Sequence, residues 1–412
     1  MKKTLLLLLT PIIAMCVLSF GNGFFTTFST IELNSMGHSH IAIGIISAAY
    51  FLGLTAGPYF SQYTIVRVGY IRAFSLFASA MAISTLLLGI FKGMVVWMIL
   101  RFICGYSLAA LFVIVESWCL LSTDKKSRGT IFSIYLFIYY GTQAFSQLML
   151  NFHFSDLLLA YCFVSTLCSV SIIFMCFTKT VAPAPASEEV NSPMKIIKAV
   201  PLGMIAGFTG GILLGSIYSM LPLFLINVSN DQNIVSIIMM TTLLGGMLLQ
   251  IPIGKISDMI DRRLVMLIVS ISLVIASLLV CIFYHVLPIL IIVMFLFGGG
   301  AFVIYPLAIS HSSDFLEEDQ ILNAIGLITI FYGLGSILGP IIISIFTDVI
   351  GSIGFFIIIG IASTLLSLYI LYRLRVRPKS SEEETSQFTI VTPESATFSE
   401  AQEIVSDRLV ES

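Results

Sequence analysis

Charged residues are scarce in this sequence. Aspartate, glutamate, lysine and arginine make up 10% of its 412 residues, whereas 58% are hydrophobic. A soluble protein carries about 25% charged residues, so this composition excludes an ordinary soluble domain. The mean hydropathy of +1.04 predicts an integral membrane protein whose main solvent is hydrocarbon.

The motifs of several other function classes are missing. No GxxxxGK[ST] loop for ATP-driven pumping occurs, no nucleophile and base form a recognisable constellation, and no extramembrane stretch is long enough for a catalytic domain. His38 and His40 form an HxH pair without a visible third ligand, and all seven cysteines lie in apolar segments. We therefore expect no enzymatic activity, no cofactor, no metal site and no nucleic-acid partner.

Twelve apolar segments are long enough to cross a membrane, which takes roughly 20 residues in a helix. They predict an all-α membrane protein with twelve transmembrane helices in contact with the lipid bilayer. The predicted spans are 4–30, 41–63, 73–91, 94–121, 130–151, 157–178, 199–227, 234–253, 264–284, 287–310, 321–346 and 353–372.

The basic residues are divided unequally between the two sides of the predicted membrane. Of the 20 lysines and arginines, 18 lie on one side, Lys92 lies on the other, and Arg101 lies within the fourth span. Loops rich in lysine and arginine stay in the cytoplasm. The chain is therefore expected in a cytoplasmic (inner) membrane with both termini inside.

Two hydrophilic stretches mark the domain boundaries. Residues 179–198, KTVAPAPASEEVNSPMKIIK, are rich in proline, serine and charge and predict a cytoplasmic linker. Residues 375–412 contain too little apolar surface to fold alone and predict a disordered cytoplasmic tail. The predicted domains are six-helix bundles at 1–178 and 199–374.

The two halves resemble each other at an offset of about 192 residues. YYGTQAFSQ in the fifth span matches FYGLGSILG in the eleventh, and Gly23 matches Gly215. At an offset of 190, FVIVES matches FVIYPL, which places Pro306 opposite Glu116. Repeated halves of this kind are typical of transporters, whose binding site lies between them.

Two predicted cytoplasmic loops carry glycine and charged residues in similar arrangements. In GKISDMIDRR the glycine lets helices approach, and the acidic and basic residues can pair across the cytoplasmic face to hold one conformation closed. QYTIVRVGYIR, in the first half, keeps one glycine and the basic residues. An ordinary positively charged loop is the alternative interpretation. The predicted gating residues are Gly254, Asp258, Arg262, Arg263, Arg67, Gly69 and Arg72.

GKISDMIDRR resembles the signature loop of the major facilitator superfamily, and Arg101 with Gly105 resembles its RxxxG element. The resemblance covers about residues 4–372. Within it, RFICGYSLAALFVIVESW, LLGSIYSMLPLFL and FVIYPLA are similar to the YcaD-like branch. The resemblance implies the major facilitator fold, two pseudo-symmetric six-helix bundles, and transport of a solute that the branch does not identify.

The fourth span contains two ionisable residues, Arg101 and Glu116. They are 15 residues apart, which is about 22 Å along a helix, so they cannot pair with each other. A buried carboxylate is unfavourable by several kcal/mol unless it is protonated, paired or hydrated, which makes Glu116 our candidate for proton coupling. The alternative is a structural ion pair with Arg67, Arg72 or another basic group on the cytoplasmic side.

Arg101 and a set of polar residues are the candidates for binding the solute. Arg101 suits an anionic group or biases the protonation of a nearby acid, with a side chain that reaches lipid headgroups as the alternative. The hydroxyl and amide side chains suit a small polar or amphipathic solute, although each alone is more often a packing contact. These residues are Asn22, Thr26, Tyr50, Tyr139, Tyr140, Gln143, Gln147, Tyr218, Ser219, Gln250, Tyr305 and Tyr332.

The sequence thus predicts a secondary active transporter that moves a small-molecule solute by alternating access, with protons as the expected coupling ion. A polyspecific efflux protein and a passive facilitator are alternatives with the same fold. A membrane receptor or scaffold is the alternative without transport, and the long tail is the feature that favours it.

Overall fold

The computed structural model describes residues 2–121, 128–152, 154–177, 193–316 and 318–376. These residues form helices and connecting turns, without a strand among them. The helices are α1 (Lys2–Ser35), α2 (His40–Val68), α3 (Tyr70–Ile90), α4 (Met94–Leu121), α5 (Arg128–Ser146), α6 (Leu157–Cys176), α7 (Pro193–Ala199), α8 (Pro201–Ser219), α9 (Leu221–Ser229), α10 (Gln232–Met259), α11 (Arg262–Phe283), α12 (Leu287–Ser313), α13 (Glu318–Ile350) and α14 (Gly354–Val376).

Within the described ranges, eleven helices are long and apolar enough to cross a membrane. The remaining predicted span, 130–151, corresponds to α5 and the 3-10 helix Gln147–Asn151 that follows it. α5 has 19 residues and carries an arginine, two threonines and a glutamine, so it is more polar than the other spans. The all-α prediction is confirmed, and the count of twelve is close to what the structure contains.

The helical bundle has two ends, which we call the terminal face and the distal face. The terminal face carries the start of α1, the turn at Gly69 and the turn at Asp261, and sequence analysis predicts that it is cytoplasmic. The distal face carries His40 at the start of α2 and Asp348 near the end of α13. Predicted linker residues 179–192 and tail residues 377–412 lie outside the described part of the chain.

The predicted repeat is visible in the packing of the helices. A Cβ atom on Gly105 of α4 would lie 2.0 Å from the carbonyl oxygen of Tyr50 on α2, and one on Gly298 of α12 would lie 1.9 Å from that of Thr242 on α10. Glycine permits these backbone contacts because it has no side chain. The matching pairs give an offset of 192 to 193.

Two pairs of helices form the main contacts between the halves, and we call them seams. The first seam is α2 with α13, where a Cβ on Gly333 would lie 2.4 Å from Thr55 Cγ2. The second seam is α5 with α10, where a Cβ on Gly141 would lie 3.6 Å from Met247 Sδ. The two contacts are repeat partners, since each residue of the first differs from its counterpart in the second by 192 positions.

Several predicted boundaries differ from the structure. α1 continues to Ser35, beyond the predicted end of the first span, and the predicted span 199–227 is broken at Met220 into α8 and α9. The predicted loop GKISDMIDRR is mostly helical, because α10 runs to Met259 and α11 begins at Arg262. Likewise, Gly69 alone separates α2 from α3, and its φ of +81° explains why glycine occupies this turn.

Candidate functional site

A cavity lies between the two halves, close to the middle of the helices. The space there amounts to about 380 Å³ and is partly open to solvent. Six helices of the N-terminal and C-terminal halves supply the lining, which combines amide and hydroxyl groups with apolar side chains. The lining residues are Asn22, Thr26, Tyr50, Phe51, Leu54, Leu108, Tyr139, Gln143, Tyr218 and Tyr332.

Hydrogen bonds orient the polar groups at this cavity. Asn22 of α1 donates from Nδ2 to the hydroxyl of Tyr50 on α2 at 3.3 Å. Gln143 of α5 donates from Nε2 to the hydroxyl of Tyr139, one turn earlier, at 2.9 Å. Among the described residues, no hydrogen-bond donor reaches Gln143 Oε1, although this atom is buried. The site therefore offers hydroxyl groups and a buried amide oxygen to a bound solute.

Seven of the thirteen predicted solute-binding residues line the cavity. Five belong to the N-terminal half and two to the C-terminal half, so the structure brings together residues that are about 300 positions apart in the sequence. A second, adjoining cavity continues along α2 and α13 and shares Phe51, Leu54 and Tyr332 with the first. The seven predicted residues that line the main cavity are Asn22, Thr26, Tyr50, Tyr139, Gln143, Tyr218 and Tyr332.

Four other predicted residues contact neighbouring helices instead. Gln147 accepts a hydrogen bond from Thr27 at 2.7 Å and donates to a backbone carbonyl of α1, and Gln250 donates to the carbonyl oxygen of Phe302 at 2.9 Å. Tyr305 shares a hydrogen bond of 2.7 Å with Thr329. These side chains are satisfied by helix packing, which was the alternative interpretation for each of them.

Tyr140, the fourth of these residues, lies at the contact between the halves. Its ring packs edge-on against Phe302 of α12, with 5.6 Å between the ring centroids. Phe302 also packs against Tyr218, which lines the cavity. Tyr140 is therefore one aromatic ring removed from the cavity wall.

Arg101 lies behind the cavity wall rather than in it. The side chain is 3% exposed, and its Cζ lies 4.4 Å from the centroid of the Tyr50 ring and 5.4 Å from that of Phe25. A cation over an aromatic face is stabilised by the electrons of the ring. Arg101 is thus adjacent to Tyr50, a residue of the lining, and does not extend to lipid headgroups in this conformation.

Glu116 is fully buried, at 0% exposure, and lies outside the set of residues that line the cavity. It occupies the part of α4 nearer the terminal face. Arg67 and Arg72, the partners considered in the structural interpretation, are both exposed. Burial of this depth agrees with either a protonated carboxyl or a compensated charge.

Sequence analysis missed a second buried carboxyl, Glu32. It is 5% exposed and lies in the last turn of α1, where it accepts a hydrogen bond from the hydroxyl of Tyr161 on α6. The predicted first span ended before Glu32, which placed this residue in a loop. The signal that could have identified it is the spacing of Phe25, Phe28 and Glu32, which continues one face of the helix.

The predicted gating residues at the terminal face form ion pairs within the C-terminal half. Arg262 Nε lies 2.8 Å from Asp314 Oδ2, and its Nη2 lies 3.2 Å from Asp258 Oδ1. These bonds connect the ends of α10, α11 and α12. In this conformation these ion pairs hold the C-terminal half together.

Asp261, beside this cluster, begins α11 as its N-cap residue. Its carboxylate lies 2.7 Å from Arg263 Nη2 and accepts a hydrogen bond from the backbone N–H of Arg263. Burial on its own would raise the pKa of Asp261, but the hydrogen bonds and charge of Arg263 hold that pKa below its usual value of 3.8. The turn between α10 and α11 is therefore fixed by a charged cap.

Polar contacts connect the two halves at the distal face. His40 Nδ1 of α2 lies 2.6 Å from Asp348 Oδ1 of α13. Asn34 of α1 donates from Nδ2 to Asn227 Oδ1 of α9 at 3.2 Å, and Asn227 Nδ2 lies 3.5 Å from His40 Nε2. These side chains form one connected group across the interface and are partly accessible to water.

The chain was also compared with known proteins. The family model described as Major Facilitator Superfamily matches residues 12–232 and 225–409. The protein named uncharacterized MFS-type transporter YcaD from Escherichia fergusonii is 27% identical over 310 residues, which cover 74% of this chain and 80% of that protein. The YcaD protein of Salmonella arizonae is 28% identical over 301 residues, 72% of this chain and 78% of that protein.

Solved structures agree on the fold. A mutant form of the nucleoside transporter NupG is similar with a TM-score of 0.77 and 14% identity, covering 89% of this chain and all of that one. Another NupG structure gives a TM-score of 0.70 with 15% identity, covering 90% of this chain and all of that one. At these identities the similarity concerns the fold. Together with the family match over most of the sequence, it establishes that this chain is a multi-pass membrane protein that belongs to the major facilitator superfamily of transporters.

Proposed function

We propose that this protein is a secondary active transporter that moves a small organic solute across the cytoplasmic membrane by alternating access, with a proton as the coupling ion. The solute binds in the cavity between the halves, and the terminal face is on the cytoplasmic side. Glu116 carries the coupled proton. The rest of the chain positions these groups and allows the two halves to move relative to each other.

The cavity is the observation that carries this proposal. It lies at the interface of the halves and draws polar side chains from both of them, as expected for a site that opens to alternate sides of a membrane. Among the described residues, its lining contains no charged side chain and combines tyrosine rings with amide groups. That chemistry favours a small solute with a flat or apolar part and a few hydrogen-bonding groups.

Alternating access gives a role to the contacts at the distal face. Asn34 and His40 belong to one half, and Asn227 and Asp348 belong to the other, so these bonds must break when the cavity opens to that side. Each is an accessible polar contact, which contributes about 1 kcal/mol or less in water. Weak bonds of this kind allow exchange between two conformations.

Glu116 is proposed as the proton carrier because of its depth and burial. A carboxylate in this position is unfavourable by several kcal/mol without compensation, so protonation and deprotonation change the free energy of the surrounding packing. Protonation of Glu116 can therefore shift the equilibrium between the inward-facing and outward-facing states. The alternative role, a structural lock on α4, predicts that removing the carboxyl lowers stability without altering the dependence of transport on pH.

The first test is a thermal-shift screen of the detergent-purified protein at about pH 5.5 and 7.5. The panel contains sugars, amino acids, organic acids, nucleosides, siderophore-like chelators and amphipathic drugs. A ligand that binds the folded state raises the melting temperature in a dose-dependent way. One coherent class of stabilising compounds is expected, whereas a scatter of unrelated amphipathic compounds favours the efflux alternative. Melting temperatures that no compound raises contradict the proposed binding site.

The second test measures uptake of the identified compound into proteoliposomes under an imposed proton gradient. The wild-type protein is expected to accumulate the solute, and Glu116→Gln is expected to exchange it without accumulation. Glu116→Asp, which keeps the carboxyl, is the matched control and retains some accumulation. Exchange without accumulation by the wild-type protein favours the facilitator. The tail is the feature that favours a receptor. If a chain truncated after Val376 still transports the solute, that argument for a receptor no longer holds.

A further inference from the structure

Glu32 and Tyr161 form a buried polar pair that the proposed function does not yet use. The pair lies near the distal face, where the last turn of α1 meets α6. An ionisable residue at hydrocarbon depth is a candidate functional residue. The carboxyl of Glu32 is also far from Glu116, because α4 carries Glu116 close to the opposite face.

Tyr161 holds three helices together around this carboxyl. Its ring packs edge-on against Phe25 and Phe28 of α1, each at 5.7 Å between centroids, and against Trp97 of α4 at 6.5 Å. Phe28 and Phe25 precede Glu32 by about one and two helical turns on the same face of α1. The aromatic contacts therefore direct the hydroxyl of Tyr161 toward Glu32.

Arg101 lies one turn beyond Trp97 on α4 and shares the ring of Phe25 with Tyr161. Its guanidinium cannot lose its proton in a protein, so a positive charge is permanently buried there. Within the part of the chain that the structure describes, no hydrogen-bond acceptor reaches its Nη1. A cation in this environment needs a counter-charge.

Titratable groups of three helices surround this cation and the carboxyl. Tyr161 interacts electrostatically with both Glu32 and Arg101, and Lys92, in the turn between α3 and α4, acts on Glu32. Tyr50 of α2 and Cys104 of α4 face Arg101. Tyr161 of α6 therefore links Glu32 to Arg101, and Glu32 is the carboxyl of this network.

Tyr50 connects Arg101 to the cavity. One face of its ring carries the guanidinium, and its hydroxyl contacts Asn22, which lines the cavity together with Tyr50 itself. A negative charge on a solute at Asn22 would therefore be separated from Arg101 by a single aromatic ring. The field of a buried cation acts over this distance because hydrocarbon screens it weakly.

We propose that Glu32 and a monoanionic solute alternate as the counter-charge of Arg101, so that binding of the anion is accompanied by uptake of one proton at Glu32. This inference rests on the proposed transport function and names its substrate class. When Glu32 is ionised, its negative charge offsets that of Arg101, and an anion in the cavity is not attracted. When Glu32 is protonated, the positive charge of Arg101 is available to the anion through Tyr50.

The charge at this site balances over the transport cycle. One proton and one monovalent anion enter the protein together, and both leave when Glu32 loses its proton. The proton that the proposed function assigns to Glu116 is carried in addition to this pair. Glu32 does not contact the solute. It is a positioning residue whose charge acts on the solute through Arg101 and Tyr50. Its effect should appear in the dependence of anion affinity on pH.

The test uses matched pairs of an anion and its neutral amide as probes, namely acetate with acetamide, lactate with lactamide, and benzoate with benzamide. Binding to the full chain in detergent is measured by thermal shift at pH 5.5 and 7.5, where the carboxylates remain ionised. For the wild-type protein, the anions are expected to bind about tenfold more tightly at pH 5.5. The amides are expected to bind equally at both pH values.

Glu32→Gln gives the sharpest prediction because glutamine imitates the protonated carboxyl. This variant is expected to bind the anions at pH 7.5 as tightly as the wild-type protein does at pH 5.5, and to lose the dependence on pH. Glu32→Asp is expected to restore the dependence. Tyr161→Phe keeps the ring contacts and removes the hydroxyl, so it is expected to change the midpoint of the pH profile while the protein stays folded.

Each result separates this inference from the proposed function. Weaker anion binding by folded Glu32→Gln at both pH values would overturn the counter-charge role. Stabilisation by amides or other neutral compounds, with no effect of the anions, would also overturn it. That result would still agree with a transporter of neutral solutes. If no compound of the wider panel stabilises the protein, the proposed binding site fails and this inference fails with it.

Discussion

The two seams between the halves occupy equivalent positions in the repeat but are packed differently. In the first seam, Gly333 lies against Thr55 with no room for a side chain, whereas in the second, Gly141 lies at ordinary contact distance from Met247. Threonine is stiff at χ1, while methionine is flexible and fills irregular gaps. The first seam therefore has a single close-packed arrangement, and the second can accommodate movement.

The distal ends of the seams differ in the same way. In the first, Gly44 of α2 approaches Ser344 and the carbonyl of Pro340 on α13, and a Cβ atom on Gly44 would be 2.4 Å from Ser344 Oγ. In the second, Ser236 of α10, which is the repeat partner of Gly44, donates a hydrogen bond of 2.8 Å to the carbonyl oxygen of Gln147. The close packing at Gly44 leaves no space for an added atom, whereas the single hydrogen bond of Ser236 tolerates small movements of the helices.

The largest effect is expected from Gly333→Ala. The new Cβ would overlap Cγ2, Oγ1 and Cβ of Thr55, so rotation of the threonine cannot relieve the overlap. We expect a loss of about 3 kcal/mol in stability from overpacking, measured as a lower melting temperature, and at least tenfold slower transport. Gly141→Ala is the matched control and should remain close to wild type.

A double variant tests whether the contact itself is the cause. Thr55→Ala removes the two closest atoms, so Gly333→Ala with Thr55→Ala is expected to recover most of the lost stability. Equal damage by Gly333→Ala and Gly141→Ala would mean that the seams do not differ in tightness.

A smaller effect is expected from Gly44→Ala. The added methyl group would push α2 away from Ser344 at the distal face, with a free-energy change of about 2 kcal/mol. Because the strain is relieved when the halves separate there, the distal-open state should become more populated. Hydrogen–deuterium exchange at the distal ends of α2 and α13 is expected to rise, while the melting temperature changes little. Unchanged exchange would show that this contact persists in both states.

Ser236→Ala is expected to have a weaker effect than Gly44→Ala. It removes one buried hydrogen bond to the carbonyl of Gln147 and leaves the helices in van der Waals contact, a loss of about 1 kcal/mol. Exchange at the start of α10 should increase by about fivefold. A change as large as that of Gly44→Ala would contradict the view that the second seam is adjustable.

His40→Gln is expected to have the smallest effect. The pair with Asp348 is partly exposed, with 27% and 33% of the two side chains accessible, so solvent screens it and its loss changes stability by about 0.5 kcal/mol. The melting temperature should be nearly unchanged at high salt. A decrease of several degrees that persists in about 1 M salt, where exposed charges are strongly screened, would show that the contact is structural.

Sequence reasoning identified the features that depend on local pattern. Apolar length predicted the spans, the distribution of lysine and arginine suggested an orientation, and repetition suggested two halves. Seven of the thirteen proposed solute-binding residues line the cavity, because polar side chains in the first, second, fifth, seventh and eleventh spans face the interface between the halves. The other residues were indistinguishable in sequence, since a buried glutamine such as Gln147 can bind a neighbouring helix equally well.

The missed features depend on three-dimensional context. Glu32 follows a run of polar residues that makes the end of a span look like a loop, and its partner Tyr161 is 129 positions away. The partner Asp314 of Arg262 is equally hidden, because it belongs to a different helix end. No local pattern specifies which acid a buried base will meet, so these pairs require the packed structure.

The contact between Asn34 and Asn227 has a consequence for the origin of the fold. The two residues are 193 positions apart, which is nearly the offset between the halves, so each is the repeat partner of the other. Residues related by a two-fold operation can touch only near its axis, and an asparagine can both donate and accept across such an axis. A single six-helix unit could make this same bond with a second copy of itself, as expected for the ancestral homodimer whose gene was duplicated and fused.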